Sequence, residues 1–327
     1  MTGVETAPGT GIDASGGLAS AVEMCNNNGH CRKFDAGTMC PSYRITKDEQ
    51  HLTRGRANTL RLALSGQLGT EGLASPEVKE TLDLCVSCKG CKRDCPTGVD
   101  MAKMKIEARA AWANRHGTTL REKLIAYMPR YAGVASRVGG LLSMLEHTPV
   151  LGAVAKRALG LATERSLPRF KTSFLGRQTD QKPLAATPGR EVLLFVDTFN
   201  NYIDTENALA AQQVLKAAGY TVHLNQRPDE RPLCCGRTFL SAGMVDQAKA
   251  EARRTLDALV PFVKRGVAIV GLEPSCLLTL RDEFLDYGYG EEAKLLARHA
   301  FLFEEFLVLE QKAGRLTLEL KALETKT

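Results

Sequence analysis

Apolar residues along the chain follow two different spacings, and the change between them divides the protein into two kinds of structure. Before residue 168 they recur mainly at the helical period, as in residues 53–64, where Leu60 and Leu64 share one side. Beyond residue 190 they form short unbroken runs, the clearest being Val-Leu-Leu-Phe-Val at 192–196. Unbroken runs of this length are typical of strands buried in a parallel sheet. The pattern therefore predicts a helical first part and an α/β second part.

Capping residues set the limits of two helices in the first part. Ser75 precedes a proline, and this pair predicts the start of a helix that carries Leu82 and Leu84 into the core. Asp100 is a capping residue before a second helix, which we expect to end at Gly117. Helices joined by cysteine-containing loops indicate an all-helical domain rather than a small β-rich one.

The second part alternates strands with helices. Strands are predicted at 192–196, 220–224 and 267–270, and helices at 206–218 and 247–264. This alternation predicts a parallel sheet. The predicted fold class is α + α/β, with an N-terminal α-helical domain and a C-terminal α/β domain that contains a short parallel sheet.

Breaks in these patterns divide the chain into segments. Residues 1–20 show no periodicity and are predicted to be a flexible arm, while residues 168–190 carry three prolines and few apolar residues, as linkers do. The predicted segments are the arm at 1–20, the α-helical domain at 21–117, a helical extension at 118–167, the linker at 168–190 and the α/β domain at 191–327.

Composition narrows the class of protein. The 327 residues are 44% hydrophobic and 24% charged, which is ordinary for a globular protein of about two domains. No basic run interleaved with aromatics accompanies the net charge of +6, so we expect no nucleic acid partner. No uninterrupted apolar stretch reaches the ~18 residues of a transmembrane segment. Residues 1–18 lack the apolar core of a signal peptide, which favours a cytoplasmic location over secretion.

Four of the ten cysteines lie in one short stretch, Cys85-Val-Ser-Cys88-Lys-Gly-Cys91-Lys-Arg-Asp-Cys95-Pro. In this C-x2-C-x2-C-x3-C-P spacing, the first three thiols can each reach a different iron of one cubane, while the fourth ligates the other cluster in two-cluster ferredoxins. Zinc is the alternative, but structural zinc sites usually separate their ligand pairs by roughly a dozen or more residues. The motif therefore predicts a [4Fe-4S] cluster and an α-helical ferredoxin domain.

Cys25, Cys31 and Cys40 form an incomplete copy of this motif. The copy keeps a terminal Cys-Pro pair at Cys40, but asparagines stand where a middle cysteine would be. If the last thiol of each copy crosses to the other, one complete ligand set results, which consists of Cys40, Cys85, Cys88 and Cys91.

The reciprocal set, Cys25, Cys31 and Cys95, lacks a fourth thiolate. Three outcomes remain open for it: a three-iron cluster, a cubane completed by another ligand such as His30, or no cluster. We therefore predict one [4Fe-4S] cluster and leave open a second cluster, either with three irons or with a non-cysteine ligand.

Basic residues accompany both copies of the motif. A positive charge near a cluster stabilises its reduced form and raises its potential. The alternative for each residue is a solvated surface position. The residues concerned are Arg32, Lys33, Arg54, Arg56, Lys89, Lys92 and Arg93.

The remaining cysteines lie in loops after predicted strands, at Cys234-Cys235-Gly236 and at Cys276. Ligand sites in α/β sheets form at such loops. We therefore predict that the three thiols converge on a metal or cluster. A vicinal disulfide and ordinary burial as small apolar residues are the alternatives.

Several motifs together resemble the iron-sulfur portion of FAD-linked D-2-hydroxyacid dehydrogenases. They are Cys25-x5-Cys31-x8-Cys40-Pro-Ser-Tyr, Thr53-Arg-Gly-Arg, the Cys85–Pro96 motif with its following Thr-Gly-Val-Asp, and Arg231-Pro-Leu-Cys-Cys-Gly-Arg. Members of this family include the glycolate oxidase iron-sulfur subunit and fused enzymes acting on D-lactate or D-2-hydroxyglutarate. The α/β part resembles one cysteine-rich CCG module of heterodisulfide reductase.

The resemblance implies that a 2-hydroxyacid is oxidised by FAD on a partner, and that this chain passes single electrons to quinone or another acceptor. No Gly-x-Gly-x-x-Gly follows a strand, so the FAD-binding dehydrogenase subunit or domain is expected outside this chain. The chain also departs from the family, because only one CCG module is present, with Asn200–Tyr202 and Glu273 where further thiols are expected. A truncated chain and a split gene product both explain this.

Three functions follow for testing. The leading one is an iron-sulfur electron-transfer subunit or fragment without its own substrate site. The second is a heterodisulfide-reductase-like thiol/disulfide enzyme, and the third is a non-redox, metal-stabilised interaction module. For the first, the expected location is the cytoplasm or the cytoplasmic face of the inner membrane as a peripheral protein.

Overall fold

The computed structural model describes residues 16–34, 36–140, 148–178, 190–226 and 230–318. Most of the predicted arm, residues 141–147 of the predicted helical extension and residues 179–189 of the predicted linker lie outside these residues. The described chain is mostly helical and contains one short, four-stranded parallel sheet. The predicted α + α/β class is confirmed.

Contacts group the chain into two compact units. The first comprises Met1–Ala126, Thr238–Lys249 and Leu285–Gly288, and the second comprises Tyr127–Arg237, Ala250–Phe284 and Tyr289–Thr327. Both units are discontinuous in sequence. The linear domain boundaries predicted above stay predictions, because this grouping follows packing and not the order of residues along the chain.

The first unit is built from short helices around a core that includes the motif cysteines. Its α-helices are Leu18–Glu23, Pro41–Thr46, Thr53–Leu64, Pro76–Asp83, Gly90–Asp94, Met101–His116 and Leu120–Ala126, and its 3-10 helices include His30–Arg32, Glu49–His51 and Gly72–Ala74. Buried Leu52, Leu60, Met101 and Met104 pack in the same core as Cys25, Cys31, Cys40 and Cys91. The cysteines are thus held by a hydrophobic core and not by a free loop.

The predicted caps in this unit are confirmed. The Ser75 hydroxyl accepts from the Val78 N–H, and the Asp100 carboxylate accepts from the Lys103 N–H. One core prediction is wrong, because Leu84 is 48% exposed. The helix ends at Asp83, and Leu84 is its C-cap residue, whereas Leu82 lies on the buried side of the helix.

The glycine of Thr53-Arg-Gly-Arg is required by a close approach of backbone. A Cβ on Gly55 would lie 2.0 Å from the carbonyl oxygen of Glu49. The 3-10 helix Glu49–His51 therefore packs directly against the first turn of the Thr53–Leu64 helix. This contact fixes the position of Arg56, one residue further along.

The sheet of the second unit has strands β1 (Glu191–Phe195), β2 (Thr221–Leu224), β3 (Ala268–Gly271) and β4 (Ala300–Leu302), in the order β2-β1-β3-β4. All neighbouring pairs are parallel, with Val192 opposite both Val222 and Ala268. Residues 192–196 are fully buried, as the unbroken apolar run predicts. Within the sheet, β1 therefore lies between β2 and β3.

Strand β4 is missing from the sequence-based prediction. It has three residues and directly follows the Gly290–His299 helix. A stretch this short has no period of its own, and only its pairing with β3 defines it.

Helices make up most of the remaining regular structure in the described chain beyond residue 127. Their bounds are Met128–Arg137, Pro149–Ala158, Phe174–Arg177, Thr198–Tyr202, Thr205–Ala217, Arg237–Ser241, Val245–Val263, Pro274–Arg281, Gly290–His299 and Phe303–Lys312, with a 3-10 helix at Glu283–Tyr287. None of the helices in the described part of the chain combines the length and the apolar character needed to cross a membrane.

Candidate metal centre

The loop that carries Cys85, Cys88 and Cys91 has an unusual backbone. Ser87 and Lys89 both have positive φ, at 54° and 57°. L-residues adopt this left-handed conformation at a cost of roughly 1–2 kcal/mol each, so the fold must hold them there. Alternating right-handed and left-handed residues turn successive N–H groups toward one concave side, which is a recurring anion-binding geometry in iron-sulfur sites.

Four cysteines line one cavity beside this loop. Its wall includes Cys40, Cys85, Cys88 and Cys91, and Met101 contributes to its apolar part. The cavity holds about 340 Å³ of empty space, counting its open mouth. Cys40 and Cys91 are buried, whereas Cys88 is exposed, so the cavity opens to solvent beside Cys88. The crossed set proposed from the sequence is thus brought to one place.

Asp94 links the segment before Cys40 to the Cys85–Pro96 motif. Its Oδ2 accepts hydrogen bonds from the Thr38 N–H at 2.7 Å, the Thr38 hydroxyl at 2.9 Å and the Met39 N–H at 3.2 Å. Gly90 permits the approach, because a Cβ there would lie 2.6 Å from the Thr38 hydroxyl oxygen. These contacts place the chain immediately before Cys40 against the helix that follows Cys88.

The cysteines of this cavity differ in their hydrogen bonds and in the charges near them. The guanidinium of Arg56 donates to Cys40 Sγ at 3.3 Å, and Lys105 Nζ donates to the carbonyl oxygen of Cys85. Burial raises the pKa of Cys91 to about 12, and the nearby Asp100, Cys85 and Cys40 add to the rise. A bound cation would oppose this rise, because a coordinating thiol is deprotonated by the metal.

Two sets of contacts connect the residues of the second cysteine set, Cys25, Cys31 and Cys95. Burial raises the pKa of Cys31, and the nearby Cys25 adds to the rise. Met24 approaches the loop after Cys95, since its Cε would lie 3.7 Å from a Cβ on Gly98. The chain before Cys25 and the chain after Cys95 are therefore neighbours.

Cys95 has the surroundings of a ligand thiolate. Burial by itself raises the pKa of Cys95, but hydrogen bonds from the Thr97 hydroxyl and the N–H groups of Val99, Thr97 and Gly98 outweigh it, and the net pKa is lowered. N–H groups directed at sulfur are one of the features that set cluster potentials.

His30, the suggested extra ligand, begins the 3-10 helix His30–Arg32 and is half-buried. Its N–H donates to the Asn28 side chain at 2.8 Å, so the asparagines of this segment shape its turn. A role for its imidazole as a cluster ligand stays a prediction.

The cysteines of the second unit form a separate buried group. Cys234, Cys235 and Cys276 are 4%, 2% and 5% exposed, and Cys235 lies within hydrogen-bonding reach of both other thiols. A hydrogen bond with Cys235 lowers the pKa of Cys276, but burial and the negative charge of Asp197 outweigh it and raise this pKa to about 11. The structure brings the three thiols together, and metal binding by them stays a prediction.

This group lies where the sheet topology places ligand sites. After β1 the chain forms β2 on one side of it, and then crosses over to form β3 on the other side. The carboxyl ends of β1 and β3 therefore flank a topological switch point. Asp197 caps the helix after β1, and Glu273 caps the helix after β3. The family resemblance leads one to expect further thiols at Asn200–Tyr202 and at Glu273. The first position lies in the helix that Asp197 caps, and at the second a carboxylate caps a helix instead.

A buried carboxylate holds the segment before Cys234. Glu251 accepts from Arg231 at 2.8 Å and from Arg254 at 3.0 Å, and Arg254 also donates to the Arg231 carbonyl at 2.9 Å. The Thr255 hydroxyl donates to the Cys234 carbonyl at 2.9 Å. One helix thus fixes the chain on the approach to the thiols.

The donor chemistry fits an iron-sulfur cluster in the first unit. All ten cysteines are free thiols, and four of them share one cavity. Within the described ranges, no three His, Cys, Asp or Glu side chains have the geometry that holds a single metal ion. Asp94, whose contacts position Cys40, was missed from the sequence. Its signal was an acidic residue between the third and fourth motif cysteines.

We predict that Asp94→Asn weakens this link and changes the acid sensitivity of the first unit. Hydrogen bonds from the Thr38 N–H and hydroxyl lower the pKa of Asp94 below its ordinary value, and a depressed pKa stabilises the folded state above the unfolded pKa of about 3.9. That stability is lost as the pH falls through the folded pKa. Urea unfolding of metal-free protein between about pH 5 and pH 3 should show a shallower pH dependence for Asp94→Asn than for wild type.

Asp83→Asn is the matched control, since Asp83 is an exposed aspartate paired with Lys79 at 2.6 Å. It removes a carboxylate from the same unit and leaves the Thr38 contacts intact, so we expect the change in pH dependence to be specific to Asp94→Asn. An Asp94→Asn variant as acid-sensitive as wild type would contradict the prediction.

Comparison with known proteins supports the cluster assignment. Residues 21–99 match the 4Fe-4S dicluster domain. The chain is similar to the D-2-hydroxyglutarate dehydrogenase of Escherichia coli (strain K12), with 25% identity over 313 residues that cover 82% of this chain and 30% of the relative. The protein of the same name from Pantoea ananatis (strain AJ13355) is 24% identical over 80% of this chain and 29% of its own length.

The glycolate oxidase iron-sulfur subunit of Escherichia coli (strain K12) is 25% identical over 255 residues, which cover 77% of this chain and 55% of the relative. The chain thus spans about a third of the dehydrogenases and about half of the subunit. No solved structure matches. The chain therefore carries a 4Fe-4S dicluster domain at residues 21–99 and is homologous, over about four fifths of its length, to D-2-hydroxyglutarate dehydrogenase and the glycolate oxidase iron-sulfur subunit.

Proposed function

We propose that this chain is the iron-sulfur electron-transfer component of an FAD-dependent 2-hydroxyacid dehydrogenase. The observation that carries the proposal is the shared cavity of Cys40, Cys85, Cys88 and Cys91. When bound, a cluster there accepts and donates single electrons. The chain itself supplies the thiols, the loop N–H groups and a hydrophobic wall.

The substrate class follows from the relatives. Their names concern D-2-hydroxyglutarate and glycolate, and both compounds are 2-hydroxyacids. We propose that glycolate, D-lactate or D-2-hydroxyglutarate is oxidised on an FAD-binding partner, and that this chain contacts no substrate. A quinone or another acceptor takes the electrons. The chain would then act in the cytoplasm or as a peripheral protein at the cytoplasmic face of the inner membrane.

The exposed edge of the cavity supports a role in transfer. Cys88 is exposed, and its neighbour Val86 is 69% exposed. A cluster held by these residues lies close to the protein surface, where an electron donor or acceptor can approach. A purely structural cluster has no need of such an opening.

The second candidate, thiol/disulfide chemistry at Cys234, Cys235 and Cys276, is supported by the contact among the three thiols. The protonation state argues against it. A hydrogen bond with Cys235 together with burial raises the pKa of Cys234 well above its ordinary value, so little of the reactive thiolate is present near neutral pH. A disulfide reductase assay of wild type against Cys235→Ser would test this candidate directly.

The test of the main proposal is the iron and acid-labile sulfide content of protein purified without oxygen, with EPR spectra before and after reduction. We expect at least about four irons per chain and a signal on reduction. The reduced protein should be reoxidised by a quinone analogue, and the oxidised protein should be reduced by a flavoprotein 2-hydroxyacid dehydrogenase with its substrate. Zinc without sulfide would contradict the proposal and select the non-redox interaction module.

A further inference from the structure

Arg56 is a fully buried cation beside the four-thiol cavity. It is 1% exposed and contributes to the cavity wall together with Cys40. Its guanidinium donates to Cys40 Sγ at 3.3 Å, to the Ser42 hydroxyl at 2.8 Å and to the Thr81 carbonyl at 3.1 Å. Its donors are therefore committed to one thiol and two neutral oxygens.

No carboxylate among the described residues forms an ion pair with Arg56. Burying a cation is costly unless an anion compensates it, and buried charges in proteins are paired or bound to metals. Within the described part of the chain, the Cys40 thiol is the one ionisable acid that Arg56 contacts. A cluster bound through Cys40 would place its negative charge beside this guanidinium and so supply the missing anion.

The other basic residues near the motifs differ in their contacts. Arg32 and Arg54 both pair with Glu49, and Lys92 pairs with Asp100 at 3.4 Å. Arg93 is 86% exposed. The charges of these four residues are offset by carboxylates or screened by solvent, so we expect their influence on the four-thiol cavity to be small. Arg56, by contrast, is buried and pairs with no carboxylate of the described ranges.

We propose that Arg56 is the countercharge of the cluster held by Cys40, Cys85, Cys88 and Cys91, and that it sets the reduction potential of this cluster. The inference rests on the proposed function, because it requires the cluster. Reduction adds one negative charge to the site, and a buried cation 3.3 Å from a ligand sulfur stabilises that charge more than it stabilises the oxidised form. Arg56 is a positioning and tuning residue and contacts no substrate.

The test is a redox titration of the EPR signal that Cys88→Ser abolishes, in wild type and in the full-length variants Arg56→Met, Arg56→Lys and Arg54→Gln. Arg56→Met keeps much of the buried volume and removes the charge. We expect the ratio of reduced to oxidised cluster at a fixed potential to fall at least tenfold, a shift of about 59 mV for one electron. Arg56→Lys keeps the charge and should stay within about threefold of wild type.

Arg54→Gln is the matched control. It removes the same unit of charge from the same helix, but Arg54 is partly exposed and paired with Glu49. We expect its titration to follow wild type. A loaded Arg56→Met protein with the wild-type potential, or an equal shift in Arg54→Gln, would overturn the inference.

If Arg56→Met lacks the cluster, its potential cannot be titrated, and the folding and loading of the metal-free variants decide the outcome instead. A folded metal-free Arg56→Met that fails to load, beside an Arg56→Lys that loads, supports the need for charge. Unfolding of both metal-free variants, or failure of Arg56→Lys to load, shows a structural role and overturns the inference. Wild-type protein without iron refutes the proposed function instead, so the two failures are distinguishable.

Discussion

Replacing Cys40 with serine is expected to abolish the cluster of the four-thiol cavity as completely as replacing Cys88 with serine. Cys40 lies 45 residues before Cys85 in the chain, yet both line the same cavity. Serine keeps the size of the side chain but does not supply the thiolate that ligates iron. Each variant should lose about four irons per chain, measured as iron and acid-labile sulfide in protein purified without oxygen.

Cys95→Ser and Cys234→Ser are the controls for this result. Cys95 belongs to the motif by sequence, but it does not line the cavity of the other motif cysteines. We expect both variants to retain the EPR signal that is lost in Cys40→Ser. If Cys95→Ser removes that signal and Cys40→Ser keeps it, the crossed ligation is wrong and the motif binds its cluster alone.

Glu251→Gln is expected to destabilise the second unit by about 3 kcal/mol, the lower end of the range for breaking a buried ion pair. Glu251 is 0% exposed and accepts from Arg130, Arg231 and Arg254. Burial alone raises the pKa of Glu251, but hydrogen bonds from Arg231 and Arg254 outweigh it, and the net pKa is lowered. The neutral amide leaves three arginines without their shared anion. The lower end applies because these arginines are partly exposed.

The measurement is the free energy of unfolding in urea, followed by circular dichroism at neutral pH. Glu206→Gln is the matched control, because Glu206 is an exposed glutamate in the same unit and pairs with Lys171 at 2.6 Å. It should unfold close to the wild-type midpoint. Equal midpoints for Glu251→Gln and Glu206→Gln would show that the arginine cluster contributes little.

The same substitution should also disturb the buried thiols. Glu251 anchors Arg231, three residues before Cys234, and its helix supplies the Thr255 hydroxyl to the Cys234 carbonyl. Loosening this anchor is therefore expected to increase the reaction of Cys234 and Cys235 with a thiol reagent in native protein.

Much of the architecture follows from local pattern. The caps Ser75 and Asp100 have the contacts that their sequence positions predict, and the run at 192–196 is buried in the sheet. These features depend on residues that are close in sequence, so a single stretch contains the information. Leu84 and β4 are the exceptions, because an exposed turn and a three-residue strand are defined only by what packs against them.

The cluster motif is likewise local in part. The spacing of Cys85, Cys88 and Cys91 predicts a cubane, since three thiols so close in sequence reach one object. Their convergence with Cys40 was expected from the two-cluster pattern. The structure shows which contacts bring Cys40 to the motif. They are the hydrogen bonds of Asp94 to the backbone before Cys40 and the close approach that Gly90 allows.

The sequence by itself thus determined the chemistry of the donors, the two kinds of fold and the approximate limits of the longest helices. Only the tertiary structure decided which of seven basic residues near the motifs is buried against a ligand sulfur, and that residue is Arg56. It also decided that Cys235 lies between Cys234 and Cys276. Burial and pairing of a charge depend on helices that meet from distant parts of the chain, and no local spacing encodes that meeting.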